Sequence, residues 1–109
     1  MKKVREKVTL LHTLENPRWP NKGRYMPHIV IGDPLQRTAL VSGNQLIEHY
    51  LGVWVQDAPD EWRPGETNEV TFALMYWPEE QYTDVAVGAT FTLREGPKIV
   101  GSGQITAVS

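Results

Sequence analysis

The sequence predicts an all-β protein folded as a six-stranded antiparallel closed β-barrel. In several segments, apolar residues recur at every second position, which is typical of strands with one buried face. Eight prolines and nine glycines separate these segments with turns. Closing the sheet on itself is the most economical arrangement, because closure leaves no exposed strand edge. A chain of 109 residues is long enough for one hydrophobic core, so we expect a single domain over 1–109.

The first two strands are predicted in the N-terminal third of the chain. Apolar side chains alternate with charged or hydroxyl-bearing ones over 4–14, which predicts a half-buried strand. Residues 15–24 contain two prolines, two asparagines and a glycine, a composition typical of a long polar loop. A short strand is expected over 25–31, at a sheet edge or at a strand start, because Pro27 has no amide donor.

The middle of the chain gives weaker signals. A turn is predicted at 33–34, where Asp precedes Pro, and a short strand at 38–41. Residues 44–56 fit two patterns, a helix that begins after an Asn44 cap or a strand with alternating apolar side chains. The β-branched and aromatic residues at 53–55 favour the strand.

The clearest strands are predicted in the C-terminal half. Alternating apolar residues indicate strands over 68–76 and 85–93, and the turn at 95–98 leads into a last strand over 99–108. Glycine inside a strand often marks a bend or a close approach of the backbone, as at barrel corners. Three glycines lie inside these strands: Gly88, Gly101 and Gly103.

The composition argues against several classes of protein. No apolar stretch reaches the length of about 18 residues that a transmembrane helix needs, so no membrane span is expected. The first eight residues are rich in charge and are not followed by an apolar signal-peptide core, so a cytoplasmic protein is expected. Because the chain has no cysteine, disulfides and thiolate zinc sites are excluded.

The net charge of −2 conceals an uneven distribution along the chain. Residues 1–43 carry eight basic and three acidic side chains, a balance of +5, whereas 44–109 carry three basic and ten acidic ones, a balance of −7. Such a chain can direct one face toward an anionic partner. The simpler interpretation is that strands from the two halves interleave, so that the charges mix on the folded surface.

Motifs that carry catalysis are missing from the sequence. It has no phosphate-binding Gly-x-x-x-x-Gly-Lys-Ser/Thr loop, no Gly-x-Ser-x-Gly turn and no His-Glu-x-x-His zinc motif. The run 101–103, Gly-Ser-Gly, lies within a predicted strand and lacks a nearby His or Asp pattern. The spacing of His12, His28 and His49 does not match a set of metal ligands. We therefore predict a protein that is not an enzyme and that has no cofactor and no metal.

Three of the four tryptophans lie close to prolines in predicted loops. Beside Arg18 and Arg63, such rings can form a stacking or cation–π surface for RNA, peptide or sugar. Alternatively, they close the ends of the barrel by packing against their neighbouring prolines. The three residues are Trp19, Trp62 and Trp77.

The C-terminal half resembles a known family. Residues 91–105, FTLREGPKIVGSGQI, resemble the closing hairpin of the third domain of elongation factor Tu, where an Arg-Glu-Gly turn leads into a Val-Gly-x-Gly strand. The run RPGET at 63–67, followed by VTFAL at 70–74, is similar to that domain's Pro-Gly-Asp/Glu turn and the strand after it. Residues 23–31 resemble its Gly-Tyr-Arg-Pro-Gln-Phe segment, and 7–14 resemble its opening strand.

The resemblance covers roughly residues 4–33 and 63–108, and residues 34–62 depart from it. It implies a six-stranded antiparallel barrel, in agreement with the pattern of alternation. In the family this domain carries no catalysis. It packs against the GTPase domain, helps to hold the T stem of aminoacyl-tRNA and contacts the nucleotide exchange factor.

The resemblance also implies where a partner would bind. Glu95 and Gly96 fall on the turn that approaches the tRNA backbone in the family, and here Pro97 follows and removes an amide donor. His28 stands at the position of the family's Gln, and Met26 replaces an Arg. Because the chain has no GTPase motif, tRNA delivery is not expected, and fold similarity alone does not transfer function.

We therefore predict a non-catalytic binding module that resembles the C-terminal barrel of elongation factor Tu and has no GTPase activity. Its expected partner is a protein or an RNA of the translation apparatus, and neither DNA nor a membrane. The alternative is a small-ligand-binding or hydrolytic barrel that uses a tryptophan-lined mouth. The predicted contact surface consists of Arg18, Trp19, Arg24, His28, Glu95, Gly96 and Lys98.

Overall fold

The computed structural model describes residues 2–11, 26–59, 61–77 and 82–109. This part of the chain consists of strands and turns, and it contains no helix long and apolar enough to cross a membrane. The strands are β1 (Lys3–Leu10), β2 (His28–Ile31), β3 (Val41–Ser42), β4 (Gln45–Leu46), β5 (Leu51–Asp57), β6 (Thr67–Leu74), β7 (Thr90–Glu95) and β8 (Lys98–Val108).

Six of the strands close into a barrel with the order β1-β6-β5-β2-β7-β8, and β8 pairs with β1 to complete it. All of these pairings are antiparallel. The predicted all-β, six-stranded closed barrel is therefore confirmed. β3 and β4 lie outside the barrel and form a separate two-stranded hairpin.

The barrel interior is filled by the side chains that point inward from each strand. On β1, the exposed Arg5 and Lys7 alternate with buried residues such as Val8. Phe72 of β6 and Phe91 of β7 meet edge to face inside the barrel, with their ring centroids 6.4 Å apart. Because such side chains fill the interior, it is a packed core and not a channel. Burial of each one stabilises the fold by about 1.5–3 kcal/mol.

Two glycines of β8 allow β1 to approach closely. A Cβ atom at Gly103 would overlap the backbone oxygen of Lys7 and would lie 2.7 Å from Cζ of Phe91. At Gly101 it would lie 2.9 Å from the backbone oxygen of Thr9. The predicted close approach is confirmed at these two positions, which lie where the last strand closes the barrel against the first.

The strand predicted over 85–93 is wrong in its first half, because β7 begins at Thr90. The preceding residues form two turns, in which the amides of Val85 and Ala89 donate to carbonyls three residues earlier at 3.0 Å. Gly88 has a φ of +93°, which lies outside the range of an extended strand. Val85 is buried whereas Val87 is 65% exposed, so the alternation of apolar residues here does not mark one buried face.

Other strand boundaries differ less from the predictions. The extended interpretation of 44–56 is confirmed, although the residues at 47–50 separate β4 from β5. The strand predicted over 4–14 ends at Leu10, and its continuation falls within 12–25, outside the described residues.

Glu6 occupies an inward position of β1, where its neighbours across the sheet are Val70 and Ile105. The side chain is fully buried, and neither carboxyl oxygen has a hydrogen-bond partner among the described residues. Burial raises the pKa of Glu6 to about 9, and the adjacent charge of Arg5 offsets this only in part. At pH 7 the carboxyl is therefore neutral.

The close contact at Gly103 predicts a large loss of stability in Gly103→Ala. The added methyl group has to displace either the β1 backbone or Phe91, and overpacking of this kind costs about 1–3 kcal/mol. Urea unfolding followed by tryptophan fluorescence measures the loss. Ala107→Ser, which adds one atom at an exposed position of the same strand, is the control. Equal stability of the two variants would contradict the close approach.

The buried carboxyl of Glu6 predicts that stability falls as the pH rises. Its pKa is about 9 in the folded chain against 4.5 for an unperturbed group, so its contribution is complete below pH 4.5 and is lost progressively up to pH 9. The free energy of unfolding should fall by up to about 1.4 kcal/mol per pH unit in this range. Urea unfolding at several pH values measures the slope.

In Glu6→Gln this slope should largely disappear, because the amide does not ionise. Glu69→Gln makes the same change at an exposed position of β6 and should keep the wild-type slope. If Glu6→Gln and the wild type show the same dependence on pH, Glu6 is not the titrating group.

Candidate functional site

A buried arginine lies on the outer face of the barrel. Phe91 and Leu93 of β7 point into the core, so Thr92 and Arg94 point outward, yet both are buried. The guanidinium of Arg94 donates to both carboxylate oxygens of Glu48, from Nη1 at 2.8 Å and from Nη2 at 2.9 Å. Its Nε donates to the hydroxyl of Thr92 at 2.9 Å. The chain around Glu48 therefore covers this part of the barrel.

Tyr50 completes this arrangement and joins it to His28. The hydroxyl of Tyr50 accepts from Nη1 of Arg94 at 2.8 Å, and its ring centroid lies 5.2 Å from the guanidinium carbon. The imidazole of His28 meets the Tyr50 ring edge to face, with the centroids 6.0 Å apart. Partial burial lowers the pKa of His28, which favours the neutral ring at pH 7. We call Arg94, Glu48, Tyr50 and Thr92 the anchor cluster.

The carboxylate of Glu48 also binds the segment that precedes β3. It accepts from the backbone amide of Leu40 at 2.8 Å and from Nε2 of Gln36 at 2.7 Å. The hydrogen bonds from Arg94, together with those from Leu40 and Gln36, lower the pKa of Glu48 to about 2 despite its burial. One ionised carboxylate thus fixes residues 36–48 against the barrel.

The β3–β4 hairpin that is held in this way exposes aliphatic side chains. Leu40 is 55% exposed, Val41 57% and Ile47 61%. The amide of Ile47 donates to the carbonyl of Leu40 at 3.2 Å, so these two residues face each other across the hairpin. Val41 follows Leu40 as the first residue of β3, and its side chain lies on the opposite face of the hairpin. We call Leu40, Val41 and Ile47 the hairpin surface.

The turn between β7 and β8 lies beside the hairpin surface. Gly96 has a φ of +57°, and a glycine with positive φ followed by Pro97 is typical of a type II′ turn. Glu95 and Lys98 face each other across this turn. An open groove of about 480 Å³ runs between the turn and residues 37–41.

The structure separates the predicted contact residues into two places. Glu95, Gly96 and Lys98 form the β7–β8 turn, and Lys98 lines the groove. His28 lies opposite Arg94 in the sheet and packs against the anchor cluster. Three further predicted residues lie outside the described part of the chain: Arg18, Trp19 and Arg24.

The predicted tryptophans also occupy different environments. Trp62 is buried and belongs to the hydrophobic core. Trp77 is 46% exposed, and the ammonium of Lys2 lies 5.3 Å from its ring centroid. A cavity of about 300 Å³ lies between Trp77 and residues such as Leu74 and Val108. Trp19 lies outside the described residues.

Neither the anchor cluster nor the hairpin surface was predicted from the sequence. Arg94 stands at an outward position of a strand, where a charged side chain ordinarily faces water. Its partner Glu48 is 46 residues away in the chain, within the segment 34–62 that departs from the resemblance. Nothing in the local sequence pattern marks these two residues as a pair.

Comparison with known proteins gives no relative from which the role of these residues could be inferred. No protein-family model, curated protein or solved structure matches the chain. Within the described residues, no three His, Cys, Asp or Glu side chains are grouped so that they could hold a metal ion. The features that distinguish the outer surface are therefore the anchor cluster, the hairpin surface and the groove beside it.

The anchor cluster predicts a strong destabilisation in Glu48→Gln. Removing one partner of a buried ion pair leaves the charge of Arg94 uncompensated, which costs about 3–5 kcal/mol. Because the pKa of Glu48 is lowered to about 2, its contribution is present above pH 4.5 and is lost as the pH falls toward 2. Urea unfolding at pH 7, combined with an acid titration, measures both effects.

An exposed ion pair supplies the matched control. Glu61 and Arg63 also form a salt bridge, but both side chains are largely exposed. Glu61→Gln should change stability by less than about 1 kcal/mol. Equal losses in Glu48→Gln and Glu61→Gln would show that the anchor cluster does not hold the hairpin.

Proposed function

We propose that this chain is a non-catalytic binding module that recognises a protein partner through the hairpin surface. The observation that carries the proposal is a fixed hairpin that keeps aliphatic side chains in water on both of its faces, Leu40 and Ile47 on one and Val41 on the other. A two-stranded hairpin is only marginally stable alone, and here Glu48 and Arg94 hold it in place. Exposed apolar patches on an ordered element are typical of protein interaction sites.

The chemistry of the hairpin surface favours a protein over an RNA. Surfaces that bind RNA bring cations to the phosphates and aromatic rings to the bases. The centre of the hairpin surface is aliphatic, and the groove beside it holds Arg37 and Lys98 but is lined by no aromatic side chain among the described residues. An aliphatic patch gains most by covering a complementary apolar surface on another protein.

Two further observations support a binding module of the translation apparatus. The groups with the largest pKa shifts have structural roles, because Glu6 is enclosed in the barrel and Glu48 is bound by Arg94. The resemblance of residues 91–105 to the third domain of elongation factor Tu supports a partner that works in translation. The same resemblance supports a contact surface that includes the β7–β8 turn.

The proposal predicts that loss of the hairpin surface abolishes capture of a protein partner. The triple variant Leu40→Ser/Val41→Ser/Ile47→Ser removes the apolar contacts but leaves the anchor cluster intact. Tagged wild-type protein should retain a partner from the lysate of cells that naturally express it, and ribonuclease treatment should not release it. For the purified partner, the triple variant should weaken affinity by about tenfold or more.

Val87→Ser is the matched control, because Val87 is equally exposed but lies outside the hairpin. This variant should capture the partner as the wild type does. Release of every partner by ribonuclease, or full capture by the triple variant, would contradict the proposed function.

A further inference from the structure

The groove beside the hairpin surface combines an apolar lining with positive charge. Val41, Pro97 and Ile99 contribute apolar atoms, and Arg37 and Lys98 contribute cationic side chains. Its volume of about 480 Å³ is large enough for a few side chains of a bound peptide segment. The groove is shallow and widely open to solvent, so an extended segment can lie across it.

The guanidinium of Arg37 is held in a fixed orientation at this groove. Its Nη1 donates to the carbonyls of Pro34 at 2.8 Å and Gln36 at 2.9 Å. These two bonds use one nitrogen, and the edge formed by Nε and Nη2 makes no hydrogen bond within the described residues. Two N–H groups on one guanidinium edge match the two oxygens of a carboxylate.

The charge that a partner meets in the groove comes chiefly from Arg37. Lys98 lies opposite Glu95 across the β7–β8 turn, so the charges of the turn balance each other. Arg37 is exposed, and the anionic Glu48 nearby is already bound to Arg94. A partner with a carboxylate at the level of Arg37 is therefore electrostatically complementary to the groove.

We propose that the groove binds a segment of the protein partner in which an Asp or Glu stands next to a large apolar side chain. The carboxylate pairs with Arg37, and the apolar side chain covers Val41 and Pro97. This inference rests on the proposed function, because it specifies the partner chemistry that the same face recognises. The inference assigns to Arg37 the role of the specificity-determining cation beside the aliphatic hairpin surface.

Selection of random peptides displayed on phage tests the proposal with the intact chain. Peptides enriched on the wild-type protein should place Asp or Glu beside Leu, Ile, Met or Phe. On Arg37→Glu, enrichment should shift toward Lys or Arg beside the same apolar residues. Arg63→Glu makes the same charge change at an exposed arginine that does not line the groove. This variant should still select the acidic motif.

The best acidic peptide, synthesised with a fluorescent label, then gives the affinities by anisotropy. Arg37→Glu should weaken binding by about tenfold or more, and Arg37→Lys by a smaller factor because a lysine keeps the charge but loses the paired donors. Val41→Ser should also weaken binding, whereas Arg63→Glu should change it by less than about twofold. Thermal melting of each variant confirms that it is folded.

Selection without an acidic motif, or acidic peptides that bind Arg37→Glu as tightly as the wild type, would overturn the inference. Failure here is distinguishable from failure of the proposed function. If the triple hairpin variant loses the protein partner but Arg37→Glu retains it, the hairpin surface binds a partner and the acidic specificity is wrong. If neither variant loses the partner, both proposals are wrong.

Discussion

The ion pair between Arg94 and Glu48 determines how the outer surface of this barrel is built. Arg94 leaves β7 on the side that faces away from the core, and the carboxylate of Glu48 covers it and binds residues 36–48 as well. Buried ion pairs of this kind add little net stability, because desolvation offsets much of their attraction. Their value is positional, since the two parallel hydrogen bonds between Arg94 and Glu48 restrict where the hairpin can lie. The hairpin surface, and the groove between the hairpin and the β7–β8 turn, both follow from that placement.

Among the described residues, Arg94 and Glu6 are both fully withdrawn from water, and they are accommodated in opposite ways. Arg94 keeps its charge, because Glu48, Tyr50 and Thr92 supply acceptors around the guanidinium. Glu6 has no such partners inside the barrel, so it keeps its proton instead. The difference reflects the two sides of the sheet. The outer face can be covered by a polar segment, whereas the closed interior is lined by aliphatic and aromatic groups.

The period of two along the chain was sufficient to predict most of the strands, and closure could be inferred because a barrel leaves no exposed strand edge. The same alternation places Glu6 on the buried face of β1, so that signal was present in the sequence. Apolar residues over 85–89 were mistaken for a strand, because alternation in the sequence does not distinguish an extended segment from two consecutive turns. The pairing of Arg94 with Glu48 was not predictable, since the two residues are 46 positions apart and Glu48 lies in the middle of the chain, where the sequence signal is weak. Exposure of the hairpin surface depends on that pairing, so it could not be predicted from the sequence either.

The proton held by Glu6 links folding of this chain to the uptake of a proton from the buffer. Near neutral pH the unfolded chain carries an ionised Glu6 and the folded chain a neutral one, so each molecule takes up a proton as the barrel closes. The heat released on refolding therefore includes the ionisation enthalpy of whichever buffer donates that proton. Calorimetry in phosphate and in Tris would give different apparent enthalpies for the same fold, and the difference counts the protons taken up.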